Sequence, residues 1–144
     1  MRILFVCTGN ICRSPMAAAI AKAEIERAGC RDVEVASAGI AALEGHPAAS
    51  DACAVAWENG LSLEQHRARQ LTPELLAEAD LAVGMERAHV DWASRLGSCR
   101  AITLRAEDVP DPYGLGVGAH RETWTLLASS IPGLLAEHCS AQHP

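Results

Sequence analysis

Short apolar runs alternate along the chain with longer stretches in which apolar positions recur every three or four residues. Residues 2–6 form a run rich in branched and aromatic side chains, the pattern of a strand buried on both faces. After a polar loop, Ser14 is placed as an N-cap and Pro15 as the first helical residue, where a missing N–H costs nothing. This predicts a helix running to about Ala28 and stopping at Gly29. Residues 33–36 give a second strand, ended by Ser37, Ala38 and Gly39, and a helix follows over 48–58, ending at Asn59-Gly60. Thr72-Pro73 starts a short helix through Ala79. Residues 80–84 read as a third strand, 86–95 as a helix and 100–104 as a fourth strand. The acidic, Pro- and Gly-rich stretch 107–118 reads as a loop. A last helix starts near Ala119 and is expected to kink or break at Pro132-Gly133.

Strands that alternate with helices imply right-handed crossovers and a parallel sheet covered on both faces, a three-layer α/β sandwich. No repeat or low-complexity linker interrupts the pattern, so residues 1–144 are expected to form one domain. Composition narrows the function classes. The net charge of −6 opposes broad binding to a phosphate backbone, and aromatics at 3% offer few platforms for stacked bases, so no nucleic-acid partner is expected. No apolar run approaches the ~18 residues of a membrane span, and no membrane association is expected. Cysteines at 7, 12, 30, 53, 99 and 139 are too sparse for a disulfide scaffold and, with no export signal, are expected as reduced thiols in a cytoplasmic protein. With no Cys-x2-Cys pair and six scattered histidines, neither a metal nor another cofactor is called for.

One loop carries the chemistry. Cys7, Thr8, Gly9, Asn10, Ile11, Cys12, Arg13 and Ser14 join the first strand to the first helix, at the carboxyl end of a strand where such sheets bind ligands. Backbone N–H groups of such a loop can point inward around an anion, and the helix N-terminus adds positive potential. Gly9 permits a positive φ and Asn10 tolerates one. Arg13 can hold two phosphate oxygens with its planar fork. That field favours the thiolate of Cys7, the nucleophilic form of the sulfur, and the Ser14 hydroxyl can donate a hydrogen bond to it.

The run from Val6 to Ala17, with Cys-x5-Arg-Ser inside the first fifteen residues, resembles the low-molecular-weight protein tyrosine phosphatases. Matches follow in order along most of the chain: Ser37-Ala38-Gly39, the segment from His66 to Leu71, Ala79-Asp80, Gly84-Met85 and Asp111-Pro112-Tyr113-Gly114. The resemblance implies a four-stranded parallel sheet, a phosphate-binding loop between first strand and first helix, and a phosphorylated protein as substrate. It implies Cys7 as nucleophile, Arg13 as phosphate clamp and Asp111 as the general acid that protonates the leaving group and later activates water against a phosphocysteine. Asn10, Ser14, Ser37 and His66 would hold the loop in shape, Leu43 and Tyr113 would line the rim, and Cys12 would form a reversible disulfide with Cys7. It specifies no oligomeric state. Cys30, Cys53, Cys99 and Cys139 are expected to be structural.

Rival readings share the fold or the opening motif. An arsenate reductase would need resolving cysteines after the third strand, and residues 80–98 contain none. A phosphocarrier has no need of Arg13 or Asp111, and a silent phosphate-binding module none of nucleophile, clamp and acid together. Substrate choice is drawn in two directions. Thr8 and the Asp-Pro-Tyr-Gly loop are similar to bacterial protein-arginine phosphatases, the alternative reading. Ile11 occupies the position where those carry Thr, and the segment 40–43 lacks the aromatic wall common in tyrosine-specific relatives. The weight placed on Ile11 favours phosphotyrosine.

Overall fold

The computed structural model describes residues 1–139; the domain expected over 1–144 extends into residues 140–144, which lie outside the described residues. Nine elements follow in the order β1 (Arg2–Cys7), α1 (Arg13–Ala28), β2 (Glu34–Gly39), α2 (Ser50–Glu58), α3 (Pro73–Glu78), β3 (Leu81–Gly84), α4 (Arg87–Leu96), β4 (Ala101–Thr103) and α5 (Val117–His138). All strand pairs are parallel and the sheet order is β2-β1-β3-β4. The strand nearest the N-terminus is therefore central, with Cys7 at its carboxyl end opposite Gly39.

Alternation along β1 explains why it reads as a continuous apolar run. Ile3, Phe5 and Cys7 face a core built with Met16 of α1, Val55 of α2 and Leu127 and Ile131 of α5. Leu4 and Val6 face a second core with Leu76 of α3 and Ala93 of α4. Both faces are dry from Ile3 to Cys7, so every position over that stretch is apolar. Thr72 caps α3 by accepting a bond from the Leu75 N–H at 3.2 Å, with Pro73 in the first turn.

Four expectations are corrected. Ser14 is not the N-cap of α1: Cys12 holds that position without a side-chain cap bond, and Ser14 lies inside the helix with its hydroxyl elsewhere. Ser37, Ala38 and Gly39 do not end β2 but form its last three residues, because β1 pairs with them through Cys7. Pro132 does not break α5, which runs unbroken to His138. Pro132 and Ala128, whose carbonyl loses its partner there, both lie on the exposed side, so water can satisfy that carbonyl while Leu127, Ile131, Leu134 and Leu135 anchor the helix in the core. Finally, Cys30 and Cys139 are not reduced thiols but a disulfide, with Cα atoms 5.7 Å apart where the ends of α1 and α5 meet. Cys7, Cys12, Cys53 and Cys99 are free.

Candidate active site

The loop from Cys7 to Arg13 has its outward side tied down at every residue from 7 to 12. The segment after β2 supplies most of the donors. Ile40 N–H donates to the Cys7 carbonyl at 3.0 Å, Ala41 to Thr8 at 2.9 Å, Leu43 to Gly9 at 3.2 Å and Ala49 to Ile11 at 2.9 Å. His66 Nε2 donates to the Asn10 carbonyl at 2.6 Å, and Met16 N–H to that of Cys12 at 3.1 Å. A side chain at position 39 would have its Cβ 2.5 Å from the Thr8 oxygen, so a glycine is required for this close approach. With the carbonyls turned out, the N–H groups of Gly9, Asn10, Ile11 and Cys12 donate to no protein acceptor among the described residues. They surround the open N-terminus of a 16-residue helix that has no acidic residue in its first turn. Such a ring of unpaired donors at a helix start is a receptor for a tetrahedral anion.

Asn10 locks this shape from inside. It takes φ 58°, the one positive φ outside glycine among the described residues, and is fully buried. Its Nδ2 donates to Ser14 Oγ at 2.8 Å and to Ser37 Oγ at 3.0 Å, while its Oδ1 accepts from Arg69 N–H at 2.9 Å. Because Ser14 Oγ accepts from Asn10, the Ser14 proton is free to point at Cys7 Sγ, 2.9 Å away. The Ser14 N–H also lies 3.4 Å from that sulfur. Burial of His66 pushes its pKa down, against the opposing effect of its bond to Asn10. Its ring is therefore neutral at pH 7.

Arg13 is 1% exposed, so its charge must be matched within the protein. Its Nη1 donates to Glu86 Oε2 at 2.5 Å and to the Val109 carbonyl at 2.7 Å, and its Nη2 lies 3.7 Å from Asp111 Oδ2. Glu86 begins α4 just beyond β3, so the guanidinium is aimed from a second strand end. Asp111 sits on the 107–116 loop with a half-exposed side chain, its Oδ1 accepting from the Tyr113 N–H at 3.1 Å. A cavity of about 220 Å³ opens between these groups, lined by Cys7, Thr8, Gly9, Ile11, Cys12, Arg13, Ala41, Leu43, Asp111 and Tyr113. Leu43 and Tyr113 are exposed at its mouth; Ser37 and His66 lie behind the loop.

Cys12 also lines the cavity, yet its environment differs from that of a nucleophile. Burial, with Cys7 and Asp111 nearby, pushes its pKa up to about 12, so it is a thiol at neutral pH. Its Sγ lies 3.3 Å from Nε2 of the buried His120, whose Nδ1 faces the Gly116 carbonyl at 2.8 Å.

The sequence reading missed Glu86, His89 and His120. Glu86 had a usable signal, since it lies two residues past a strand whose carboxyl end faces the site; the two histidines carried none beyond their chemistry. Among the described residues, the group with metal-ligand spacing is Cys30, Asp32 and Cys139, at the opposite end of the sheet, with both sulfurs engaged in the disulfide. A larger cavity of about 660 Å³ also lies there, lined by residues such as Arg2, Lys22 and Glu34. The one cysteine among its described lining residues, Cys30, is engaged in the disulfide.

Known proteins resemble this chain in sequence and in fold. The family model of the low molecular weight phosphotyrosine protein phosphatases matches residues 2–142. AmsI of Erwinia amylovora, a probable low molecular weight protein-tyrosine-phosphatase, is 38% identical over 135 residues, spanning 89% of this chain and 90% of its own. Etp of Escherichia coli K12, a low molecular weight protein-tyrosine-phosphatase, is 36% identical over 132 residues, 87% of this chain and 86% of its own. Among solved structures, the YwlE arginine phosphatase, in a mutant with a phosphorylated active-site serine, superposes with a TM-score of 0.90 at 35% identity over 95% of each chain. A low molecular weight protein tyrosine phosphatase from T. tengcongensis gives 0.89 at 38% identity, over 95% of this chain and 99% of its own.

Proposed function

The chain belongs to the low molecular weight phosphotyrosine protein phosphatase family, and we propose that it hydrolyses phosphotyrosine in proteins through a phosphocysteine on Cys7. The observation that carries this reading is the tying back of all six carbonyls from Cys7 to Cys12, which leaves the loop N–H groups for a phosphoryl group directly above the sulfur. The Cys7 thiolate attacks phosphorus while Arg13 and the loop amides hold the non-bridging oxygens, whose charge grows in the transition state. Asp111 gives its proton to the departing phenolate and then takes one from the water that cleaves the S–P bond, releasing inorganic phosphate. Ser14, oriented by Asn10, donates to the sulfur when it attacks and again when it leaves. Arg13 and backbone dipoles neutralise the phosphate, so the proposal asks for no metal.

The same reading sets the enzyme in the cytoplasm. Its working group is a free thiol, and four of its six cysteines are unpaired, which suits a reducing compartment. The alternative is a protein-arginine phosphatase, favoured by Thr8 and by the superposition on YwlE. Ile11, buried beside the cavity, argues the other way, because it offers bulk where a hydroxyl would meet a phosphoramidate. Exposed Tyr113 supplies one aromatic wall at the mouth. Turnover of phosphotyrosine, phosphoarginine and phosphoserine peptides, measured side by side, tests the choice. The proposal expects phosphotyrosine to lead in kcat/KM, phosphoserine to be poor, and Ile11→Thr to shift the ratio toward phosphoarginine. A wild type that prefers phosphoarginine replaces it with the alternative.

A further inference from the structure

Thr8 and His89 form a pair that the steps above do not use. His89, on the first turn of α4, is 1% exposed, and its two ring nitrogens face different partners. The Glu86 N–H donates to Nδ1 at 2.9 Å, so Nδ1 is an acceptor and carries no proton. Burial first, then the nearby Arg13, pushes the ring pKa down to about 4, against the opposing pull of Glu86, Asp108 and Asp111. The neutral ring therefore has its single proton on Nε2, which lies 3.0 Å from Thr8 Oγ1 and must donate to it. Arg13 Nη2 also donates to that oxygen at 3.5 Å. Both acceptor positions of the Thr8 hydroxyl thus face donors, and its own proton has neither direction open to it. Thr8 is exposed and lines the cavity beside Cys7, Arg13 and Asp111, so that proton is turned toward whatever fills the cavity.

We propose that His89 is a positioning residue that makes the Thr8 hydroxyl a dedicated donor to a non-bridging phosphoryl oxygen, adding one oriented side-chain donor to those of Arg13 and the loop. This rests on the phosphatase reading of the same cavity. A threonine hydroxyl left to itself rotates and both donates and accepts; the histidine removes that choice. Its tautomer is set in turn by the start of α4, the same turn that places Glu86 against Arg13, so one helix N-terminus orients two phosphate-binding groups.

The test uses p-nitrophenyl phosphate turnover together with inhibition by orthovanadate, which mimics the phosphoryl group in flight. Thr8→Val, which keeps the shape and removes the donor, is expected to lower kcat/KM about tenfold or more and to weaken orthovanadate by a like factor. Thr8→Ser should retain both. His89→Gln should keep most of the activity, because its amide can donate to Thr8 and accept from the Glu86 N–H, whereas His89→Leu should match Thr8→Val. The double variant Thr8→Val/His89→Leu should be no worse than Thr8→Val alone, since His89 acts through the hydroxyl. Thr8→Val within twofold of wild type in both readouts overturns the proposal. So does a His89→Leu loss that is just as large in the Thr8→Val background, which marks His89 as merely structural. Should His89→Leu not fold, as judged by circular dichroism, the other single variants decide: equal values for Thr8→Val, Thr8→Ser and His89→Gln overturn it. An inactive wild type, or full turnover by Cys7→Ser, would instead overturn the phosphatase reading itself.

Discussion

Asn10 is the residue on which loop shape and thiolate chemistry meet, and replacing it separates the two. Asn10→Ala removes three side-chain hydrogen bonds, those to Ser14, Ser37 and Arg69. At about 1 kcal/mol each they amount to roughly 3 kcal/mol. Holding alanine at φ 58° adds about 1 kcal/mol more, since asparagine tolerates the left-handed region better. A loss of about 4 kcal/mol is a large share of the ~5–15 kcal/mol that stabilises an ordinary domain. Asn10→Asp has nearly the same shape, keeps the acceptor for the Arg69 N–H and spares the backbone. It replaces the donor to Ser14 with an acceptor, so the Ser14 proton turns away from Cys7 toward the new carboxylate. Asn10→Asp should therefore be destabilised mainly by desolvation of its buried carboxylate, partly offset by donors from Ser14, Ser37 and Arg69, and should lower kcat about tenfold or more even where it remains folded. Urea unfolding at pH 7 gives the first quantity and p-nitrophenyl phosphate turnover the second. Wild-type kcat in Asn10→Asp would refute the claim that Asn10 aims the Ser14 hydroxyl at the sulfur.

Three further outcomes follow from the site. Asp111→Asn should lower kcat/KM for phosphotyrosine by a factor within the ~10²–10⁴ of general acid catalysis and for p-nitrophenyl phosphate much less, because kcat/KM reports the phosphoryl transfer alone and p-nitrophenolate leaves almost unaided; equal losses in kcat/KM would make Asp111 structural. Hydrogen peroxide should inactivate the enzyme reversibly, with dithiothreitol restoring activity and mass spectrometry finding a Cys7–Cys12 disulfide, since Cys12 shares the cavity and, once Cys7 is oxidised, is freed from the Cys7 charge that helps hold it protonated. Direct passage of Cys7 to the sulfinic acid with Cys12 still free counts against it. His89 titrates near 6.5 when unfolded and about 4 when folded, so between these values the unfolded chain binds more protons. Its contribution is intact above pH 6.5 and is lost as pH falls toward 4, by up to about 1.4 kcal/mol per pH unit. The difference in stability between wild type and His89→Gln should narrow over that window, and a constant difference would contradict the assignment.

Features written in adjacent residues were legible before the structure. The β1–loop–α1 unit lies within a dozen positions, so its apolar run, its glycine and its arginine could be read together, and the cavity does bring Cys7, Arg13 and Asp111 into one space. The four strands and their parallel pairing followed from local patterns joined by crossover rules, whereas the order β2-β1-β3-β4 was not read from them. What depended on distant contacts was not legible. Pro132 looks like a helix breaker until its exposed face and the buried Ile131 beside it are known. Ser14 looks like a cap because its type and its neighbour Pro15 suit one; Asn10, four residues earlier, directs its hydroxyl to Cys7 instead. Cys30 and Cys139 are 109 residues apart, and nothing local tells that two helix ends meet there. Glu86 and His89 have the spacing of an ordinary helix start, and their partners Arg13 and Thr8 lie more than 70 positions away.

The central claim is a covalent phosphoryl group on the Cys7 sulfur. Turnover of p-nitrophenyl phosphate, whose leaving group needs little help from Asp111, by wild type and by Asp111→Asn, quenched within milliseconds and read by intact-mass and peptide mass spectrometry, tests it directly. The account predicts one phosphoryl adduct on the peptide that carries Cys7, more abundant in Asp111→Asn because breakdown also needs that carboxylate, and no adduct or turnover in Cys7→Ala. Continued turnover by Cys7→Ala, or an adduct on any other residue, would contradict it.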